Sequence, residues 1–253
     1  MRLHRFYVNK PLGEEIVVEN VDGQEFEKKL LHQWTNVFRY TSGDEVFLFS
    51  SITPGKDFLY KILSISKQAA TLTLVTSSPN IVPTFPITLV MALVKKDTFE
   101  TIARQATELG VTHIIPVVAA RSEKKNLNFE RLSTIVVEAC EQSGRGTIPL
   151  LSEILSFENL CIPNTESISI IGSLSGEALT KIAGKGLFKD LSKEKGLTLW
   201  IGPEGGWTDE EEKIAHEAGI VPFLHTRTVL KADTAATSLL SALLVLPEAN
   251  TLA

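Results

Sequence analysis

The chain has 253 residues, 43% of them hydrophobic and 22% charged, and a formal net charge of -5. These figures describe a soluble globular protein and exclude a disordered one. No apolar run approaches the roughly 18 to 20 residues of a membrane span, and the N-terminus lacks the apolar centre of a signal peptide, so a cytoplasmic protein with no membrane partner is expected.

The two cysteines, Cys140 and Cys161, read as buried thiols in a reducing compartment, and no His or Cys cluster has metal-ligand spacing. The acidic excess falls in residues 151–253. Basic clusters remain at Arg2, His4, Arg5 and Lys10, and at Arg121, Lys124, Lys125 and Arg131, where phosphates could be met, although any one such cluster is more often a solvated surface.

From residue 5 to residue 76 the pattern is mostly strand. Phe6 with Val8, then residues 46–49, 58–65 and 72–75, carry β-branched and aromatic residues between turn signals, with one helix over residues 25–34. A small β-barrel fits this spacing. The proline-rich stretch 77–86 reads as an extended connection between a domain over 1–78 and a second over 79–253.

Beyond it, residues 87–94 form a continuous apolar run suited to a strand buried on both faces. Asp97 and Glu100 predict a capped helix that Gly110 ends. A strand follows over 111–118, then a helix over 129–142 and a strand over 168–171 that ends in a small-residue loop. Strands alternating with helices imply a mainly parallel sheet and an α/β class. The final helix, expected over 234–246, is apolar over much of its girth and is read as buried in the core or against another subunit.

The second half is organised around residues 200–236. A short apolar strand stops at the turn Gly202, Pro203, Glu204, Gly205, Gly206, whose glycines allow left-handed angles and close approach to a ligand. Thr208 and Glu211 form a T-x-x-E capping box, and Gly219 closes that helix. A second strand, residues 221–224, leads through a loop into the last helix. Loops beyond strand carboxyl ends are where ligands usually bind in open α/β sheets, though two tight turns without a ligand explain the glycines equally well.

Several stretches now carry a resemblance: the start around His4, Arg5 and Phe6; VFRYTSGDEV; KKDTFE with ELG; Pro116; Arg121 with Ser122; EACEQSGR; IGPEGGW; and LHTRTVLKADTA. In this order and spacing, over nearly the whole chain, they resemble the SPOUT class of RNA methyltransferases, and within it the bacterial enzymes that make 3-methyluridine in small-subunit ribosomal RNA.

The resemblance implies a PUA-like N-terminal barrel, an α/β domain with a deep trefoil knot, a homodimer formed through the C-terminal domain, S-adenosylmethionine as cofactor, and 16S ribosomal RNA or the small subunit as partner. It also implies a cofactor pocket built from the loops Gly172 to Ser175, Gly202 to Gly206 and Leu224 to Leu230, with contacts from Gly172, Ser173, the turn from Gly202 through Gly206, Leu224, Leu230 and Thr234. This chain departs from the family's last motif, with His225 where a glycine is usual, Lys231 for an arginine and Asp233 for a glutamate.

Methylating the imide nitrogen of uridine requires that nitrogen to lose its proton, so a base or an anion-stabilising cation is needed. The expected candidates are Arg145, Lys231 and Asp233, the latter two also readable as a helix-start pair. Arg2, Arg5, Lys10, Arg39 and Arg121 are expected to grip RNA. No G-x-S-x-G elbow, P-loop or dinucleotide fingerprint is present. The rival expectations are an RNA-binding assembly factor that keeps the fold without transfer, and a methyltransferase acting on another RNA site.

Overall fold

The structure is a computed structural model and describes residues 4–21, 25–122, 126–163 and 165–244. Arg2, Lys124, Lys125 and Leu246 lie outside the described residues. The chain divides into two compact units, Met1–Val82 with Cys140–Ile148, and Pro83–Ala139 with Pro149–Ala253.

In the first unit, β1 (Arg5–Tyr7), β2 (Glu15–Glu19), β3 (Glu45–Ser50), β4 (Thr53–Ile65) and β5 (Ala69–Pro79) form a sheet of order β1-β3-β4-β5-β2. Only β1 with β3 is parallel. Register shifts at Leu59/Tyr60 and Ile62/Ser64 bend the long β4–β5 hairpin, as bulges do, and the sheet curls into a half-barrel. Its inner side buries Phe6, Val18, Leu48, Tyr60, Ile62 and Leu72.

Helix α1 (Glu25–His32) continues into a wider π-type turn, Gln33–Phe38, that buries Trp34. Arg39 ends it in the left-handed region at φ 55, and is the one non-glycine residue at positive φ among those described. Strand β2, whose five residues alternate between exposed and buried, is not among the strands expected from sequence. Strand β5 runs beyond its expected end, because the prolines hide a ladder in which Ser77 and Ser78 pair with Phe58 and Asp57. Pro79 closes that strand at its end, where a missing donor is tolerated.

The second unit contains β6 (Ile87–Ala92), α2 (Lys96–Glu108), β7 (His113–Val118), α3 (Phe129–Ser143, up to Ala139), β8 (Leu150–Leu151), β9 (Leu155–Ser156), α4 (Phe157–Leu160), β10 (Ser167–Ala178), α5 (Leu179–Gly184), β11 (Gly196–Ile201), α6 (Asp209–Glu217), β12 (Val221–Leu224) and α7 (Ala232–Leu244). The sheet order is β12-β10-β11-β6-β7-β8, with β9 also on β7, and every pairing is parallel. Leu89, Met91, Ile170 and Leu199 are fully buried, as expected for strands covered on both faces.

Asp97 does not cap α2. The helix begins one residue earlier, with Lys95 at the cap position and no side-chain cap bond, so Asp97 falls inside the first turn, where its charge acts on the helix dipole. Glu100 turns instead to Arg131, whose Nε donates to it at 2.7 Å. Gly110, at φ +92, does end the helix. Helix α7 buries Ala236, Leu239, Leu240 and Leu243 and packs on α2 and β11, with Thr237 Oγ1 donating to Gln105 Oε1 at 2.7 Å. Its wide apolar arc is therefore used inside this unit.

Candidate functional site

Three strands of the parallel sheet release the chain side by side. Strand β10 pairs with β12 as far as Gly172↔Phe223, loses register, and resumes at Glu177↔Phe223, so residues 173–176 loop out from the sheet. A Cβ added at Gly176 would meet the Phe223 backbone at 2.4 to 2.5 Å, which confines that position to glycine. The loop is fastened at its other side by α6. Ser173 Oγ donates to Glu212 Oε1 at 2.5 Å, and Ser175 Oγ to Glu212 Oε2 at 2.9 Å.

Strand β11 ends at Ile201 and enters the glycine turn. Gly206 closes it at φ +68, its N–H bonding Pro203 O at 2.8 Å. The Thr208 capping box then forms as the sequence predicts. Its Glu211 is only 4% exposed and does more than cap: Oε2 accepts from Thr208 N at 2.8 Å and Thr208 Oγ1 at 3.0 Å, while Oε1 accepts from Ala120 N at 2.8 Å. The chain after β7 is thereby tied to the start of α6. Next to it, Arg121 Nη1 donates to Gly205 O at 2.7 Å and to Trp207 O at 3.1 Å. A Cβ on Gly205 would press on the Arg121 side chain at 3.2 Å.

The third wall follows β12, where Thr226 and Thr228 hydroxyls bond each other at 2.9 Å. Together the three loops and Arg121 surround a cavity of about 450 Å³, within the usual range for small-molecule sites. Phe223, Leu224, Leu230 and Leu239 give it apolar wall, and Gly172, Gly202, Gly205 and Gly206 give it bare backbone. A Cβ on Gly172 would meet nothing closer than 3.7 Å, so packing does not demand glycine there. A planar heterocycle with hydrogen-bonding edges and a polar tail fits such a lining.

Of the candidate cofactor contacts, Gly172, Ser173, Gly202, Pro203, Glu204, Gly205, Gly206, Leu224 and Leu230 all line the cavity, and Thr234 does not. Thr234 sits exposed in the first turn of α7. Lys231 is exposed between two lining residues, Leu230 and Ala232, and is not itself lining. Asp233 is half-buried, its Oδ1 accepting from Thr234 N at 2.8 Å. Arg145 is not among the residues that line this cavity. It is 4% exposed in the first unit, where burial pushes its guanidinium down to about 10.

The basic residues separate as well. Arg5 is committed inside the first unit and does not offer a free guanidinium. Its Nε and Nη2 grip Asp57 at 2.6 and 2.8 Å, its Nη1 and Nη2 donate to the carbonyls of Cys140 and Arg145, both at 2.8 Å, and it stacks 3.6 Å from the Phe49 ring. Lys10 Nζ donates to Val17 O at 2.7 Å. Arg39 is exposed. Arg121 is exposed but serves the glycine turn, a role invisible in sequence because its partners are backbone carbonyls far along the chain. Sequence reasoning missed Glu212, Phe223 and Leu239 on the cavity wall, whereas Thr226, Thr228 and Val229 lie in the 224–230 loop that the resemblance implies. Among the described residues, no group of His, Cys, Asp or Glu is placed to hold a metal.

A cavity at the carboxyl ends of parallel strands, walled by glycine-rich loops, defines the class as an α/β protein with a small-molecule site at its strand ends. The sequence model of a family described as an RNA methyltransferase domain matches residues 82–244. The chain is 28% identical over 237 residues to the ribosomal RNA small subunit methyltransferase E of Rickettsia conorii, covering 93% of each protein. It is 30% identical over 261 residues to the protein of the same name from Bacillus subtilis, covering 95% of this chain and 96% of that one. It also resembles the crystal structure of a ribosomal RNA small subunit methyltransferase E from Neisseria gonorrhoeae bound to S-adenosyl methionine, with a TM-score of 0.81, 25% identity, and coverage of 97% and 98%. The chain belongs to the RNA methyltransferase domain family and, within it, to the ribosomal RNA small subunit methyltransferase E group.

Proposed function

We propose that this protein transfers a methyl group from S-adenosylmethionine to N3 of a uridine in 16S ribosomal RNA. The observation that carries this reading is the cavity itself: glycine backbone and apolar side chains from three adjacent strand exits, in a chain whose relatives are named for small-subunit ribosomal RNA methylation. The cofactor supplies a methyl group already activated on a sulfonium, so the protein needs no metal.

The protein's own work is binding, alignment and charge. Leu224 and Leu230 offer apolar surface for an adenine, and the amides and carbonyls of the glycine turn offer its polar edge partners. Rigid loops hold the reacting groups in line, which removes much of the entropic part of the barrier. Lys231, exposed at the edge of this wall, stabilises the uridine anion or its phosphate. Asp233, two residues on, orients that cation or accepts the imide proton.

Exposed Arg39 in the first unit and Arg121 beside the turn meet RNA phosphates. The trefoil knot, the homodimer through the second unit and a cytoplasmic setting belong to the same reading, and sedimentation of the purified protein tests the dimer. No helix among the described residues is long and apolar enough to cross a membrane.

The deciding experiment is mass-spectrometric mapping of 16S ribosomal RNA from cells with and without the protein, with purified subunits and S-adenosylmethionine added back. Loss of one 3-methyluridine and its restoration in vitro is the expected result. Tight cofactor binding with no methyl incorporated anywhere would favour the assembly-factor role instead.

A further inference from the structure

Glu212 borders the cavity, and its two oxygens are held by neutral hydroxyls, from Ser173 at 2.5 Å and Ser175 at 2.9 Å. Hydroxyls fix the carboxylate in place without cancelling its charge. No lysine or arginine pairs with it among the described residues. The loop that carries the two serines lies close on β12, since a Cβ at Gly176 would meet the Phe223 backbone at 2.4 to 2.5 Å. The other formal charges on the wall are Glu204, exposed on the glycine turn, and Arg121, whose guanidinium is turned to the carbonyls of Gly205 and Trp207. A half-buried, immobilised carboxylate therefore dominates this side of the cavity, and the ligand chemistry that it recognises is cationic.

Resting on the methyl-donor reading above, we propose that Glu212 is the residue by which the cavity prefers the sulfonium donor to its thioether product. Methyl transfer breaks the carbon–sulfur bond, leaves its electron pair on sulfur and removes the positive charge there, while the new carbon–nitrogen bond forms from the pair on N3. Donor and product differ by that charge and one methyl group. A fixed negative charge on the wall thus holds the donor and loosens the product once the reaction is done. Ser173 and Ser175 position the carboxylate, and Glu212 supplies the discrimination.

Titration calorimetry of the full chain with S-adenosylmethionine and, separately, S-adenosylhomocysteine tests this with no catalysis required. The expected result is that Glu212→Gln lowers the donor-to-product affinity ratio about tenfold, roughly 1.4 kcal/mol, mostly through weaker donor binding. The double variant Ser173→Ala/Ser175→Ala, which keeps the charge, lowers affinity for both compounds and retains most of the ratio. In the wild type, raising salt from low to high shrinks the ratio, since the ammonium and carboxylate are common to both compounds and only the donor carries the sulfonium charge whose attraction to Glu212 is screened; this measurement stands even if a variant is poorly folded.

Parallel loss of both affinities in Glu212→Gln, or a wild-type ratio indifferent to salt, would overturn the proposal and leave Glu212 as a loop fastener. A wild type that binds neither compound would instead remove the donor reading itself, and with it this inference.

Discussion

Replacing Glu211 with alanine tests how the cavity is assembled. The carboxylate is 4% exposed and accepts three hydrogen bonds, from Ala120 N, Thr208 N and Thr208 Oγ1. Losing a helix-capping partner costs about 1 kcal/mol. Losing an acceptor for a backbone amide bound to a charged group costs about 1.5 to 3 kcal/mol. Ala120 is exposed, so water partly replaces its bond, and removing a buried carboxylate returns part of its desolvation cost. The net loss is about 3 kcal/mol, which lowers the Tm of the unit holding α6 by roughly 10 °C.

The same substitution frees the segment before Arg121 and the turn that follows β11, so affinity for S-adenosylmethionine should fall more than tenfold. Glu211→Gln keeps one acceptor and should show about half the stability loss. Thermal and urea unfolding, with calorimetry of cofactor binding, give the readouts. A Tm within 2 °C of wild type together with unchanged affinity would refute the idea that this carboxylate joins the two segments.

Gly176→Ala forces a methyl group into the Phe223 backbone, so the 173–176 loop must shift; cofactor affinity should fall at least tenfold, while alanine at Gly172, with only ordinary contacts, leaves the fold intact. Asp57→Ala strips the bidentate partner from a nearly buried Arg5 and should destabilise the first unit by about 3 kcal/mol, seen as an earlier urea transition. Arg39→Gly relieves a left-handed conformation that costs an L-residue roughly 1 kcal/mol; it should raise the Tm slightly yet weaken RNA binding in filter assays, and unchanged RNA affinity would remove Arg39 from the interface.

Burial pushes the Cys140 and Cys161 thiols up to about 12. The folded state then favours the protonated thiol, and that stabilisation is present below the unfolded pKa of roughly 8.5 and lost as pH rises through the folded value. The urea midpoint should therefore decline between pH 8.5 and 10.5, less steeply in a Cys140→Ala/Cys161→Ala variant. Iodoacetamide at pH 8 should label neither thiol until denaturant is added.

Local signals fixed most of the elements. Apolar runs gave β6, β7, β11 and β12, the T-x-x-E spacing gave the start of α6, and Gly110 and Gly219 gave helix ends, because each depends on interactions within a few residues. The resemblance named most of the cavity wall, since its motifs fall at the strand exits. What sequence could not supply were contacts made across the fold. Arg5 looks like a surface cation until Asp57, Phe49 and two distant carbonyls converge on it. Glu211 reads as a cap until Ala120 arrives at its other oxygen. Asp97 reads as a cap until the helix starts before it. Short-range hydrogen bonding and hydrophobic periodicity are written in neighbouring residues, whereas the partner of a charged side chain is set by which strands lie beside one another, and only the folded chain decides that.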